Sequence, residues 1–184
     1  MVKGSKKGNN YIIKDDVVHM ELKRYGRKPS FWTKFDLADL DKVINFPFTW
    51  HAKLSTSNNE WYAIASIHGE KQTTIQLQMY IMDLDGGHNE VADHINHDTL
   101  DNRRSNLRVI NNGENLQNRK GRNRNNQSGY RNVAYISSDK HPYRVQLMVN
   151  GRNKILGKFD DADEAGIFAA EMRHKYYGEY KGLG

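Results

Sequence analysis

The 184-residue chain has no cysteine, which excludes disulfide frameworks, thiol nucleophiles and thiolate zinc sites. Any metal site must then be built from His, Asp, Asn or Glu, and such donors favour a hard cation. Long apolar runs are also missing. Nowhere do eighteen apolar residues follow one another, and the first thirty residues contain no stretch of signal-peptide length. A soluble, cytoplasmic protein without membrane contact is expected. There is no repeat of solenoid length and no heptad, so nothing announces an array or a coiled-coil dimer, and the oligomeric state stays open. The length allows one ordinary domain or two to three small modules, and excludes a large multidomain enzyme.

Acids are in deficit, with 28 Lys and Arg against 22 Asp and Glu, a net charge of +6 that favours an anionic partner. The excess is concentrated. Between Arg103 and Arg124 lie Arg103, Arg104, Arg108, Arg119, Lys120, Arg122 and Arg124 against one acid, Glu114, which accounts for the whole net charge. Residues 119–129 (RKGRNRNNQSG) have almost no apolar side chain and cannot pack a core. They read either as a solvated hinge or, better, as a cationic strap along a phosphate backbone.

Before the strap, Tyr11 to Ile13, Val17 to Leu22, Trp61 to Ile67 and Thr73 to Leu77 read as short strands, and Asp36 to Ile44 as one short helix with Leu37, Leu40 and Ile44 on one face. Phe46, Phe48, Trp50, Trp61 and Tyr62 can stack on bases, but a small β core uses the same residues, and core is the preferred reading. After the strap, 130–136, 143–150 and 154–159 read as three strands with turns at Ser138-Asp139-Lys140 and Asn150-Gly151. Along the middle strand Tyr143, Val145, Leu147 and Val149 alternate with Arg144, Gln146 and Met148, giving one core face and one free face. A helix then opens at Asp161, with Glu164 in capping-box spacing, and closes at Gly178. Its stripe Ala165, Phe168, Ala169, Met172 and Tyr176 should cover the apolar side of the sheet.

The chemistry is concentrated in residues 91–119, VADHINHDTLDNRRSNLRVINNGENLQNR. A short strand leads into Asp93-His94, a turn-rich loop follows, Leu107 to Ile110 forms a second strand, and Asn111 with Glu114 opens a short helix. In a strand–loop–strand–helix unit, a residue ending the first strand and one on the helix can face each other. Asp93 and Asn115 can therefore share a cation, and two oxygen donors suit magnesium or manganese better than zinc. His94, on the opposite side of the extended backbone, can reach a water without being a ligand, and a neutral imidazole is a suitable base for water attacking a phosphodiester. Asn106 is placed for its amide to bond the loop backbone. Taken singly, an Asp-His pair is ordinarily a surface turn and an Asn near a helix start ordinarily a cap.

Together, Asp93, His94, Asn106 and Asn115, with 100–108 (LDNRRSNLR) between them, resemble the HNH nuclease family in its phage and homing-endonuclease branch. The resemblance spans about Thr74 to Arg119. It implies that Asp93 and Asn115 hold one divalent ion, Mg2+ or Mn2+, per active site, that His94 is the general base, and that Asn106 orients the loop. It also implies a phage-encoded enzyme acting in the host cytoplasm. One departure stands out: relatives carry a His-Arg-Leu run where this chain has Gln78-Met79-Tyr80.

The carboxy-terminal part, Ser128 to about Tyr180, resembles the Apetala-type (ethylene-response-factor) DNA-binding domain, a three-stranded sheet backed by a helix. The marks are 128–133 (SGYRNV), the strand Tyr143 to Val149, 156–159 (LGKF) and the Ala-rich helix through Ala169-Ala170. The resemblance implies a sheet face in the major groove, where Arg144 and Gln146 can read base edges and Arg131 contacts DNA. Ala134, Ile136 and Ile155 stand where plant members commonly use Arg or Trp, so no target sequence transfers.

The expectation is an α+β chain: a β-rich region over 1–77, a ββα-metal nuclease unit over 78–119, a basic linker over 120–127, and an antiparallel three-stranded sheet on one helix over 128–184. The expected activity is site-directed, metal-dependent hydrolysis of duplex DNA, with no protein partner required. Arg103, Arg104, Arg108, Arg119, Lys120, Arg122, Arg124, Arg131, Arg144 and Gln146 are the expected DNA contacts. Two other readings compete: a DNA-binding regulator whose nuclease unit has decayed, and an RNA-binding or structural protein that uses the strap.

Overall fold

The computed structural model describes residues 8–23, 30–67, 73–85, 89–118 and 121–182. It is an α+β structure with antiparallel sheets, and it divides into two compact units, residues 1–110 and 111–184. The boundary falls within the 78–119 block, between Ile110 and Asn111, the last residue of its second strand and the N-cap of its helix.

In the first unit β1 (Tyr11–Lys14), β2 (Val17–Leu22) and β3 (Phe31–Asp36) form one antiparallel sheet. Lys14 pairs with Val17 across Asp15 and Asp16, both at positive φ (50° and 60°), a tight turn whose twist matches its strands. A short 3-10 turn leads into α1 (Leu40–Ile44). A second antiparallel sheet contains β4 (Trp50–Leu54), β5 (Trp61–Ile67) and β6 (Thr73–Gln76), and runs directly into α2 (Leu77–Ile81). β3, β4 and α2 are additions to the elements read from sequence, and Leu77 belongs to the helix.

The core of this unit gathers Val18, Met20, Leu22, Phe35, Val43, Trp50, Ala63, Leu77 and Ile81, all essentially without solvent contact. Phe46 stacks on Trp50 at 4.9 Å and Phe48 lies 5.8 Å from Phe46, so these aromatics do serve the core. Asn9 stitches the two sheets: its Nδ2 donates to the carbonyls of Trp50 (2.6 Å) and Glu21 (2.7 Å), while its Oδ1 accepts from the Trp50 amide at 3.0 Å. Last come β7 (Glu90–His94) and β8 (Leu107–Asn111), paired as a two-stranded sheet.

The second unit opens with α3 (Asn112–Gln117). Its capping box is complete: the Glu114 amide donates to Asn111 Oδ1 at 3.0 Å, and the Asn111 amide to Glu114 Oε2 at 2.8 Å. β9 (Val133–Tyr135), β10 (Tyr143–Val149) and β11 (Arg152–Phe159) make an antiparallel sheet with β10 in the middle, followed by α4 (Ala162–Tyr177). Val145 and Leu147 have no exposure and pack against Ala165 and Ala169, so β10 turns the face read from its alternation onto α4. The Asn150-Gly151 turn has both residues at positive φ (52° and 72°).

The helix stripe needs one correction. Tyr176 is 40% exposed, whereas Tyr177 is buried and its hydroxyl accepts from the Met148 amide at 3.0 Å. Gly166 is forced by contact: a Cβ there would lie 2.3 Å from Cδ1 of Tyr130, whose hydroxyl donates to Asp163 at 2.6 Å.

Candidate active site and nucleic-acid face

β7 ends on Asp93 and His94, and strand alternation sends the two side chains apart. Asp93 is half-buried and its Oδ2 accepts from Arg108 Nε on β8 at 2.9 Å. His94 is buried, at 4% exposure, and its Nε2 lies 3.1 Å from Oδ1 of Asn102. Burial pushes the imidazole below its ordinary 6.5, against the opposing pull of the Asn102 hydrogen bond and of Asp93. It is therefore neutral at pH 7. Tyr62 on β5 is its aromatic neighbour, with ring centroids 6.4 Å apart.

The loop from Ile95 to Asn106 is held from three sides. Asn106 is buried: its Oδ1 accepts from the Asn96 amide (3.0 Å), its Nδ2 donates to the Asp101 carbonyl (2.8 Å), and its own carbonyl accepts from the Ile95 amide (2.9 Å). One side chain thus ties the strand ends to the middle of the loop. β3 grips the other side, where the Lys34 amide donates to Leu100 and the Asn102 amide to the Lys34 carbonyl. Asp101 is the third anchor. Its side chain is fully buried and receives Arg103 Nε (2.8 Å) and Nη2 (2.7 Å), Lys34 Nζ (3.2 Å) and Asn96 Nδ2 (3.3 Å). Burial pushes its carboxyl up, but the hydrogen bonds from Arg103 and Lys34 outweigh this and hold it at about 2.

Three expected phosphate contacts are engaged with protein carboxylates. Arg103 grips Asp101, Arg108 pairs with Asp93, and Arg104 makes a two-pronged pair with buried Asp39 (2.9 and 2.8 Å) while donating to the Ile81 carbonyl. The Gln78-Met79-Tyr80 run lies on α2: Gln78 is buried with Oε1 unbonded, Met79 Sδ accepts from the Ala92 amide on β7 at 3.3 Å, and Tyr80 packs on Phe46 and Trp50. Residues in this place support β7 by packing.

Asn115 is exposed on α3, in the second unit. Asp93 belongs to the first unit, and each of the two side chains offers an oxygen donor of the kind a hard cation takes. Among the described residues no three of His, Asp and Glu are grouped so as to hold a metal ion. Magnesium is ordinarily held by one or two carboxylates completed by waters and substrate phosphates.

The free face of the carboxy-terminal sheet carries Arg144 and Gln146, with Lys158 and Ala134 opposite Arg144 and Ile155 opposite Gln146. Arg144 is half-buried and its Nε is unbonded. Within this unit a cleft of about 690 Å³ includes Arg122, Asn123, Asn126, Asn132, Gln146 and Met148 in its walls, so basic strap and sheet face share a surface. Arg122 and Arg124 are exposed. Arg131 differs: it is buried, donates to the Lys181 carbonyl at 2.8 Å and to the Gln117 carbonyl, and so braces the fold. Arg119 and Lys120 lie outside the described residues.

The residues that sequence reasoning missed are Asn102, Thr33, Asp101, Lys34 and Asp39. Asp101-Asn102 stand inside the quoted motif, but their partners on β3 lie about seventy positions away and carry no local signal. Comparison of the chain with protein-family models, with curated proteins and with solved structures finds no match in any of the three.

Proposed function

We propose that this protein is a metal-dependent DNA endonuclease of the HNH type, which hydrolyses phosphodiester bonds in duplex DNA and is positioned by its carboxy-terminal sheet. One observation carries the reading: a buried imidazole at the end of β7, next to a half-buried carboxylate, at the head of a loop immobilised by Asn106. His94 takes the proton of the attacking water, and its neutrality at pH 7 leaves it able to do so. Asp93 and Asn115 are the proposed ligands of a magnesium or manganese ion, which when bound neutralises charge on the scissile phosphate and leaving oxygen. Arg122 and Arg124 supply salt-dependent affinity, and Arg144 and Gln146 read base edges. The proposed setting is a phage-encoded enzyme in a host cell.

The Asp93–Arg108 pair favours one competing reading, a DNA-binding regulator in which an arginine has taken the metal's place beside the carboxylate. Supercoiled plasmid incubated with Mg2+ or Mn2+, with and without chelator, separates the two. Nicks or breaks that disappear with chelator and in His94→Ala support the enzyme. Binding without cleavage in either metal supports the regulator.

A further inference from the structure

We infer that Asn102 is a positioning residue for His94: its carboxamide fixes the imidazole in the Nε2–H tautomer and leaves Nδ1 as the nitrogen that accepts a proton. The catalytic consequence rests on the nuclease reading above; the tautomer itself does not.

The inference starts from the Leu100 carbonyl, which can only accept. It receives the Lys34 amide at 3.0 Å and the Thr33 hydroxyl at 2.8 Å. The one proton on Thr33 Oγ1 is thereby committed, so towards Asn102, 2.8 Å away, that oxygen can only accept. The NH2 end of the Asn102 amide must face Thr33, which turns Oδ1 towards His94 Nε2 at 3.1 Å. A carboxamide oxygen donates nothing, so Nε2 carries the hydrogen. Nδ1 has no hydrogen bond among the described residues.

Reversing the amide would set Oδ1 against the Thr33 oxygen with no proton between them, or require Thr33 to abandon Leu100. Burial makes either choice costly: Asn102 has no exposure, Thr33 1% and His94 4%, so no solvent compensates a misplaced proton. The backbone of Asn102 is held as well, its amide donating to the Lys34 carbonyl at 2.7 Å. The relay therefore transmits the polarity of one β3-anchored carbonyl across Thr33 and Asn102 to the ring, with an expected bias of roughly tenfold to a hundredfold for one tautomer. In solution an imidazole chooses between two nitrogens; here the scaffold has chosen, and the ring's orientation with it.

The test is long-range proton–nitrogen NMR of the full chain labelled with 15N-histidine, at a pH where His94 is neutral, alongside plasmid cleavage by the same samples. Wild type should show a single Nε2–H pattern for His94. Asn102→Asp should keep it, because a carboxylate oxygen also accepts. Asn102→Leu should give a mixed pattern, and kcat should fall about tenfold or more with KM nearly unchanged. Thr33→Val, which removes the hydroxyl that orients the amide, should also mix the tautomers, and it decides the matter if Asn102→Leu does not fold. A mixed or Nδ1–H pattern in wild type overturns the inference, as does an unchanged pattern in a folded Asn102→Leu or, failing that, in Thr33→Val. The two proposals fail separately: the expected NMR patterns without cleavage by wild type sink the nuclease reading alone, and cleavage with mixed tautomers sinks this one alone.

Discussion

Replacing Asp101 by Asn removes one charge from a fully buried position that receives Arg103 twice, Lys34 and Asn96. The amide keeps one acceptor but points an NH2 group at donors, leaving Arg103 without its carboxylate and Lys34 with only that of Asp98, 4.0 Å away. Breaking a wholly buried pair costs about 3–5 kcal/mol; here both cations are about one-third exposed, at 35% and 32%, so water screens part of the loss. The expected cost at pH 7 is about 2–3 kcal/mol. A carboxyl held at about 2 rather than 3.8 gives an independent figure of about 2 kcal/mol. Its sign follows from proton binding. Between about pH 4 and pH 2 the unfolded chain takes up the Asp101 proton and the folded protein does not, so stability falls as pH drops through that window. Above it the contribution is fully present; below about 2 it is gone. All three tryptophans (Trp32, Trp50, Trp61) lie within residues 1–110, so urea unfolding followed by their fluorescence reports on this unit. The gap between wild type and Asp101→Asn should be about 2–3 kcal/mol at pH 7 and shrink by about 2 kcal/mol by pH 2. A variant within about 0.5 kcal/mol of wild type at pH 7, or a gap independent of pH, refutes the reasoning.

Other outcomes follow from individual side chains. Gly166→Ala drives a methyl into the Tyr130 ring and should cost about 1–3 kcal/mol, seen as faster hydrogen exchange along α4. Arg122→Ala with Arg124→Ala should leave unfolding unchanged and flatten the log–log salt dependence of DNA binding by about 0.9 for each phosphate that is no longer neutralised. Arg131→Ala should act in the opposite way, since it abandons the Lys181 and Gln117 carbonyls: a stability loss of about 2 kcal/mol in denaturant melts.

Local patterns in the sequence proved legible. The alternation through Tyr143–Val149, the Asn111/Glu114 capping box and the turns at Asp15-Asp16 and Asn150-Gly151 each depend on neighbours within four positions, and the structure shows each one. β3 and β4 escaped notice because Phe31–Asp36 and Trp50–Leu54 are recognisable as strands mainly by their partners, and α2 is too short to display a helical period. Tyr176 and Tyr177 both fit a loosely drawn stripe; the Met148 amide selects Tyr177. Of the candidate site, the sequence shows the contiguous Asp93-His94 pair at a strand end and the bonding of the Asn106 amide to the loop backbone one loop away. Its support it does not show. A count of basic residues cannot show that Arg104 meets Asp39 65 positions earlier, or that Thr33 reaches Asn102 across 69. Charge that looked available for phosphate is in part internal mortar, while Arg122 and Arg124 in the strap stand exposed.

The central claim concerns one imidazole. Single-turnover cleavage by wild type and His94→Ala, measured in Mg2+ on a duplex cut from around a mapped cleavage position, with DNA affinity determined in the same solution, tests it most directly. The account predicts a rate at least about a hundredfold lower with affinity unchanged. Cleavage within about threefold of wild type, or a loss of rate matched by a loss of binding, would contradict it.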